Sequence, residues 1–329
     1  MHKTDLMALL RVNAENNHCR MHGSPCQVRS ALISFRQLDT PVIIMIHGYS
    51  YEPDNPVHCP HRLVLRLPNS EIAHAAPSWP QGLGFGKLDP AEGLGIAFGW
   101  TARGSIWAAR RRALSAGRAL AKLVTALRQR APHRKVHFVA HSLGIEVAAE
   151  AMQHLPAGAV GRIVSITGAA YGSRVLSALQ SPAGQSAEFI NVISRANAPF
   201  DRLYETLVAP PQNRDRALGH GLKAPNLLNL QLDCPDTLRR LNQMGTPIGT
   251  PVRRICHWSG YTRAGALACY NRWLRDTKNY SFLRLVAALP DPTRAPVPRQ
   301  AHGATLLLKR RGWSHSSSHL KGLSPDALR

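Results

Sequence analysis

Continuous apolar runs recur along this chain, and helix-length amphipathic stretches separate them. Val42–Ile46, Leu94–Trp100, Val136–Ala140, Arg162–Thr167 and Glu188–Ser194 read as strands. Unbroken apolar character, rather than alternation, is what a parallel strand covered on both faces requires. Ser105–Arg130 carries Ile106, Ala109, Ala113, Leu120, Leu123, Val124 and Leu127 at helical spacing, with arginines on the other face. Ile145–Met152 and Ser173–Gln180 read as shorter helices. A last short strand is expected at Val252–Cys256, then a helix from Tyr261 or Thr262 to Asp276. Residues 1–40 should add an edge strand or two and a short helix. Proline and glycine crowd residues 51–95, and residues 202–251 hold few apolar runs, so both read as irregular.

Strand alternating with helix predicts an α/β fold: a mostly parallel, doubly wound sheet flanked by helices. Ligands of such a sheet sit at the C-terminal strand ends. One domain over residues 1–289, with its core at 40–285, accounts for the pattern. Residues 290–329 hold prolines, a serine run and few apolar positions, and read as a disordered basic tail.

The chemistry concentrates where Val136–Ala140 ends, at Ala140-His141-Ser142-Leu143-Gly144. Strand, serine between small residues, then helix is the layout of a nucleophile elbow. The turn is so tight that the positions two before and two after the serine can carry almost no side chain; here they are Ala140 and Gly144. Such a turn lifts the hydroxyl out of the sheet and points backbone N–H groups at developing negative charge. The blander reading is a strand-to-helix turn with Ser142 as N-cap. Upstream, Val42–Ile46 runs directly into His47-Gly48-Tyr49, and Gly48 lets the chain cross the site without a side chain in the way. Downstream, His257 follows the expected last strand.

These three motifs resemble the serine α/β-hydrolase superfamily over residues 40–285. Phe98-Gly99-Trp100, Asn191-Val192-Ile193-Ser194-Arg195 and His257-Trp258 look like a bacterial group of predicted hydrolases. The resemblance implies Ser142 as nucleophile, His257 as base, and the N–H groups of Tyr49 and Leu143 as oxyanion hole. Gly48 and His141 would wall the substrate pocket, and His47 would be structural. The triad acid should follow the strand ending near Ser194. Asp201 stands there, with an N-cap as its alternative role and Asp233 as fallback. His220 competes with His257 for the base. The group often has acidic residues where this chain has Ala196 and Ala198.

Composition changes this picture little. The net charge of +22 invites a nucleic-acid reading, yet arginine outnumbers lysine 33 to 8, a skew that codon usage in a GC-rich genome produces. The basic runs are short and not interleaved with stacking aromatics, so no specific nucleic-acid partner is expected. No apolar stretch is long enough to span a membrane. The six cysteines form no C-x-x-C pair and read as reduced thiols of a cytoplasmic protein. Val57-His58-Cys59-Pro60-His61 reads as a polar loop over the site mouth rather than a metal site, and Gly82–Gly86 as a flexible flap. Trp79, Trp100, Trp107 and Trp258 could line an acyl pocket or sit in the core. The expected function is a serine hydrolase acting on a small-molecule ester, thioester or amide without cofactor or metal. The alternatives are an acyltransferase with the same triad and a non-catalytic binding protein on a hydrolase scaffold.

Overall fold

The computed structural model describes residues 9–32, 40–67, 76–87, 89–290 and 293. In chain order they form β1 (Leu9–Glu15), β2 (His18–Met21), α1 (Val28–Ala31), β3 (Val42–Ile46), α2 (Trp79–Gly82), β4 (Leu94–Gly99), α3 (Ile106–Arg130), β5 (Val136–His141), α4 (Gly144–Gln153) and β6 (Val160–Ile166). There follow α5 (Gly172–Gln180), α6 (Pro182–Ser186), β7 (Glu188–Ile193), α7 (Ala198–Leu207), β8 (Leu227–Gln231), α8 (Pro235–Gln243), α9 (Ser259–Thr262), α10 (Ala266–Arg275) and α11 (Phe282–Ala288). The strands make one eight-stranded sheet in the order β2-β1-β4-β3-β5-β6-β7-β8. Only the β1–β2 pair is antiparallel.

The apolar runs are continuous because both faces of the sheet are covered. Val42, Ile44 and Ile46 of β3 join one core with α3, α4 and α5. Ile43 and Met45 point the other way, into a second core with α2, α8, α10 and α11. A period of two within an apolar run thus feeds two cores. α3 lies close on α4 because Gly117 leaves room: a Cβ there would come within 2.4 Å of Glu150 Cβ. Ser105 opens α3 by accepting the Ala108 N–H, the N-cap role its sequence position suggests.

Three expected elements differ. Val252–Cys256 is not a strand. It is an exposed loop: Val252, Arg253, Arg254 and Ile255 all face solvent, and none pairs with a strand of the sheet. The last strand is β8, inside the stretch read as irregular. There Asn229 interrupts the apolar pattern, but its side chain is satisfied by Asn191 at 3.1 Å and by the Leu222 backbone. The helix expected from Tyr261 to Asp276 is broken: α9 ends at Thr262, and Gly265 at φ 80° precedes α10. Gly82–Gly86 is no flap, since Leu83 and Phe85 are core residues and the Arg275 guanidinium lies over the Phe85 ring at 4.8 Å. Apart from residues 290 and 293, the expected tail lies outside the described residues.

Candidate active site

Ser142 sits between β5 and α4 with φ 50°, the left-handed region that a non-glycine residue rarely adopts. Three backbone bonds hold it there. Its N–H donates to Ile166 O at 3.0 Å, and its carbonyl accepts from Ala169 at 3.0 Å and Ile145 at 3.2 Å. The turn needs two close approaches. A Cβ on Gly144 would lie 2.6 Å from His47 O, and a Cβ on Gly48 would lie 2.7 Å from Ser142 Cβ. No real Cβ survives such contacts, so glycine at 48 and 144 is a condition of the elbow. The small residues flanking the serine therefore have a direct steric cause.

The turn after β3 is tied to the end of β4. His47 is fully buried; its Nε2 accepts the Trp100 N–H at 3.0 Å and its Nδ1–H donates to Gly48 O at 2.9 Å. Burial lowers its pKa to about 3, so it stays neutral. The Trp100 indole N–H returns a bond to His47 O at 3.0 Å, and the two rings stack at 5.7 Å. Ser50 N–H bonds Ala102 O, and the Tyr49 hydroxyl bonds Gly104 O. Neither the Tyr49 N–H nor the Leu143 N–H donates to another described group.

His257 comes to the same strand ends by another route. Its carbonyl accepts from Thr167 Oγ1 at 3.0 Å and from His141 Nε2 at 3.2 Å. Its ring lies 4.7 Å from the His141 ring and 4.9 Å from Phe200. No hydrogen bond joins it to Ser142 Oγ among the described residues. Its Nδ1 bonds Asn197 Oδ1 at 2.6 Å, and Asn197 Nδ2 in turn bonds Asp201 Oδ1 at 3.0 Å. A carboxylate can only accept, so the amide nitrogen faces Asp201 and the amide oxygen faces His257. That places the imidazole proton on Nδ1 and leaves Nε2 a lone pair. Burial, then the neighbouring His141, holds the His257 pKa well below 6.5.

The expected residues are thus only partly brought together. His141 is buried against Trp79, Tyr261 and His257, and burial lowers its pKa to about 4. Asp201 does not reach His257, because Asn197 stands between them. Nor is Asp201 an N-cap: it lies inside the first turn of α7, whose preceding residue is Asn197. Its Oδ2 packs on Gly219, where a Cβ would meet it at 1.9 Å, and burial pushes its carboxyl up to about 7. Asp233 accepts the Arg195 N–H at 2.9 Å, and His220 is engaged by Arg216 at 2.7 Å; neither bonds His257. Trp79 and Trp100 are core residues, and Trp107 is exposed.

Residues 27–168 match the family described as "Alpha/beta hydrolase of unknown function (DUF900)". Over that span the chain is similar to α/β-hydrolases, and its sheet has the α/β-hydrolase fold. No curated protein matches it. The matched span holds the His47–Tyr49 turn and the Ser142 elbow, whereas Asn197, Asp201 and His257 lie beyond it. Two residues of the site escaped the sequence reading: Thr167 and Asn197. Asn197 stands four residues after β7, where the acid was sought, and a search for any side-chain acceptor would have found it. Nothing in the sequence singled out Thr167, which holds the His257 carbonyl from a φ of 41°. Among the described residues no three His, Cys, Asp or Glu side chains are grouped to hold a metal ion, and no helix is long and apolar enough to cross a membrane.

Proposed function

We propose that this protein cleaves a carboxylic ester, thioester or amide through an acyl-enzyme on Ser142. One observation carries the reading. Ser142 is held at φ 50° on a strand-to-helix turn whose clearance depends on Gly48 and Gly144. A strained non-glycine residue persists where surrounding structure enforces it, and here its function is to present Oγ at the sheet's C-terminal edge.

The steps use only groups of the chain, substrate and water. Ser142 Oγ attacks the acyl carbonyl, and its proton passes to His257 Nε2. The Nδ1–H of the resulting imidazolium stays on Asn197 Oδ1, which fixes the ring. The Tyr49 and Leu143 N–H groups receive the oxyanion. His257 then returns the proton to the leaving alcohol, thiol or amine as the carbon–heteroatom bond breaks. Water, deprotonated by His257, attacks the acyl-enzyme and restores Ser142 and the acid product. Asn197 in place of a carboxylate still selects the tautomer but stabilises the imidazolium less, so this enzyme is expected to turn over slowly.

A fluorophosphonate tests the proposal. It should label the peptide carrying Ser142, and Ser142→Ala should abolish labelling. Labelling elsewhere, or none on the wild type, would overturn it.

A further inference from the structure

The surface around the Ser142–His257 site is both apolar and cationic. Nine large hydrophobic side chains are exposed among the described residues, and six of them rim this site: Tyr49, Trp107, Leu203, Leu207, Val252 and Ile255. Hydrogen bonds place them there. Phe200, Leu203 and Leu207 follow one face of α7, which begins beside the His257 ring. Leu207 O accepts the Trp107 indole N–H at 2.9 Å, which joins that face to the start of α3. The loop before α3 bonds the Tyr49 hydroxyl at Gly104. On the other side, Cys256 N–H bonds Ala196 O at 3.0 Å and anchors the 251–255 loop beside His257. Solvation makes such exposure costly, and Val252 is 94% exposed and Ile255 60% exposed at the loop's tip.

Charge accompanies this rim. Arg253 and Arg254 lie between Val252 and Ile255, Arg195 adjoins Ala196, and Arg202 adjoins Leu203. All four are exposed, and none forms an ion pair with another described residue. The carboxylates of this region are engaged, Glu205 by Arg216 and Asp233 by the Arg195 backbone. Aliphatic β-branched side chains do not stack on bases, so the combination does not suit a nucleic acid. It suits a phospholipid surface. Apolar tips enter the acyl boundary while arginines meet anionic headgroups.

We infer that the rim formed by Trp107, Leu203, Leu207 and the 251–255 loop docks this protein on an anionic phospholipid surface. Resting on the function proposed above, the substrate is then an acyl ester drawn from that surface, with its chain leaving along α7.

Sedimentation with vesicles tests the docking without reference to catalysis, since Ser142→Ala protein serves as well as wild type. Vesicles of phosphatidylcholine containing phosphatidylglycerol should bind the protein, and phosphatidylcholine alone should bind it about tenfold less. Val252→Asp with Ile255→Asp should lower affinity about tenfold or more, as should Arg253→Gln with Arg254→Gln. Leu283→Asp with Val286→Asp, exposed elsewhere on α11, should change nothing. Equal binding to both vesicles, no binding, or loop variants that bind like wild type would each overturn the inference. Charge-dependent binding untouched by the two aspartates would do so too, and would point to a general polyanion site. Turnover of a soluble short-chain aryl ester separates the two proposals. Turnover without sedimentation defeats the docking alone, and sedimentation without turnover or labelling defeats the hydrolase reading alone.

Discussion

Replacing Asp201 with asparagine removes the ionisable group behind Asn197 and keeps its size and its acceptor. Asp201 is 7% exposed on α7. Burial pushes its carboxyl from 3.8 up to about 7; the Asn197 N–H opposes this and the Glu205 charge adds to it. The neighbouring turn at 218–220 brings His220, but Arg216 and Glu205 engage that ring. While Asp201 is ionised, Asn197 must turn its oxygen to His257. Once protonated, the carboxyl can donate to the amide oxygen instead. The amide turned over then offers an N–H to His257 Nδ1, and the imidazole proton moves to Nε2, where it blocks the base. Activity should therefore fall as pH drops through about 7. His257, held neutral well below 6.5, adds no step of its own there.

The same group sets a stability difference. A carboxyl with a raised pKa stabilises the fold fully below its unfolded value, and that contribution is lost as pH rises from 3.8 to about 7. At about 1.36 kcal/mol per pH unit, Asp201→Asn should stabilise by up to about 2 kcal/mol at pH 5.5 and about 4 kcal/mol at pH 8. In a domain of this size that is about 4 °C and about 8 °C in Tm. At pH 8 the lost negative charge should lower kcat/KM about 3–10-fold, the difference between a charged and a neutral hydrogen bond. The decisive measurement is kcat/KM for a short-chain aryl ester from pH 5.5 to 9, wild type beside Asp201→Asn, with a melting curve at each pH. A step near pH 7 in the wild type that vanishes in the variant supports the relay. A step that persists in Asp201→Asn, or a variant no more stable than wild type at pH 8, would refute it.

Asn197→Ala leaves His257 Nδ1 without its partner and should lower kcat about 10²–10⁴-fold with little change in KM, read by steady-state kinetics. Gly48→Ala drives a Cβ to within 2.7 Å of Ser142 Cβ and should abolish fluorophosphonate labelling while costing about 1–3 kcal/mol of stability in a denaturant titration. Seven histidines (His22, His47, His61, His137, His141, His220 and His257) have pKa values lowered chiefly by burial, so stability should begin to fall as pH drops below 6.5. His47, His137 and His141, lowered to about 3, 3 and 4, then each cost about 1.4 kcal/mol at pH 5.5, and circular dichroism should show unfolding well above the carboxylate range.

The sheet's centre was legible because its physics is local. β3, β4, β5, β6 and β7 are buried on both faces, and such strands read as mostly apolar runs. β8 was not legible, because an edge strand can carry Asn229 once Asn191 and Leu222 satisfy it. The false strand at Val252–Cys256 shows the converse. A short β-branched segment is a strand signal only if its apolar side chains have something to cover, and here Val252 and Ile255 both meet solvent. His257 was placed near the site although the strand invoked to carry it does not exist. What holds it is a pair of bonds to its carbonyl, from Thr167 and His141.

The two halves of the site differ in how strictly they constrain sequence. The elbow and the turn after β3 constrain backbone: two close approaches that exclude any Cβ leave Gly48 and Gly144 as the available solution. Such constraints write themselves into short motifs at fixed spacing. The partner of His257 faces a weaker demand. Selecting the imidazole tautomer needs an acceptor about 2.6 Å from Nδ1, and an amide oxygen meets that as well as a carboxylate does. What the amide lacks is charge, and this chain keeps a carboxyl four residues further on, at Asp201 in the first turn of α7. Because that carboxyl is buried beside Gly219 and near Glu205, its charge appears only near neutral pH. A search of the sequence for an acid beside the histidine therefore finds a residue one side chain removed from it: Asp201 reaches His257 through Asn197.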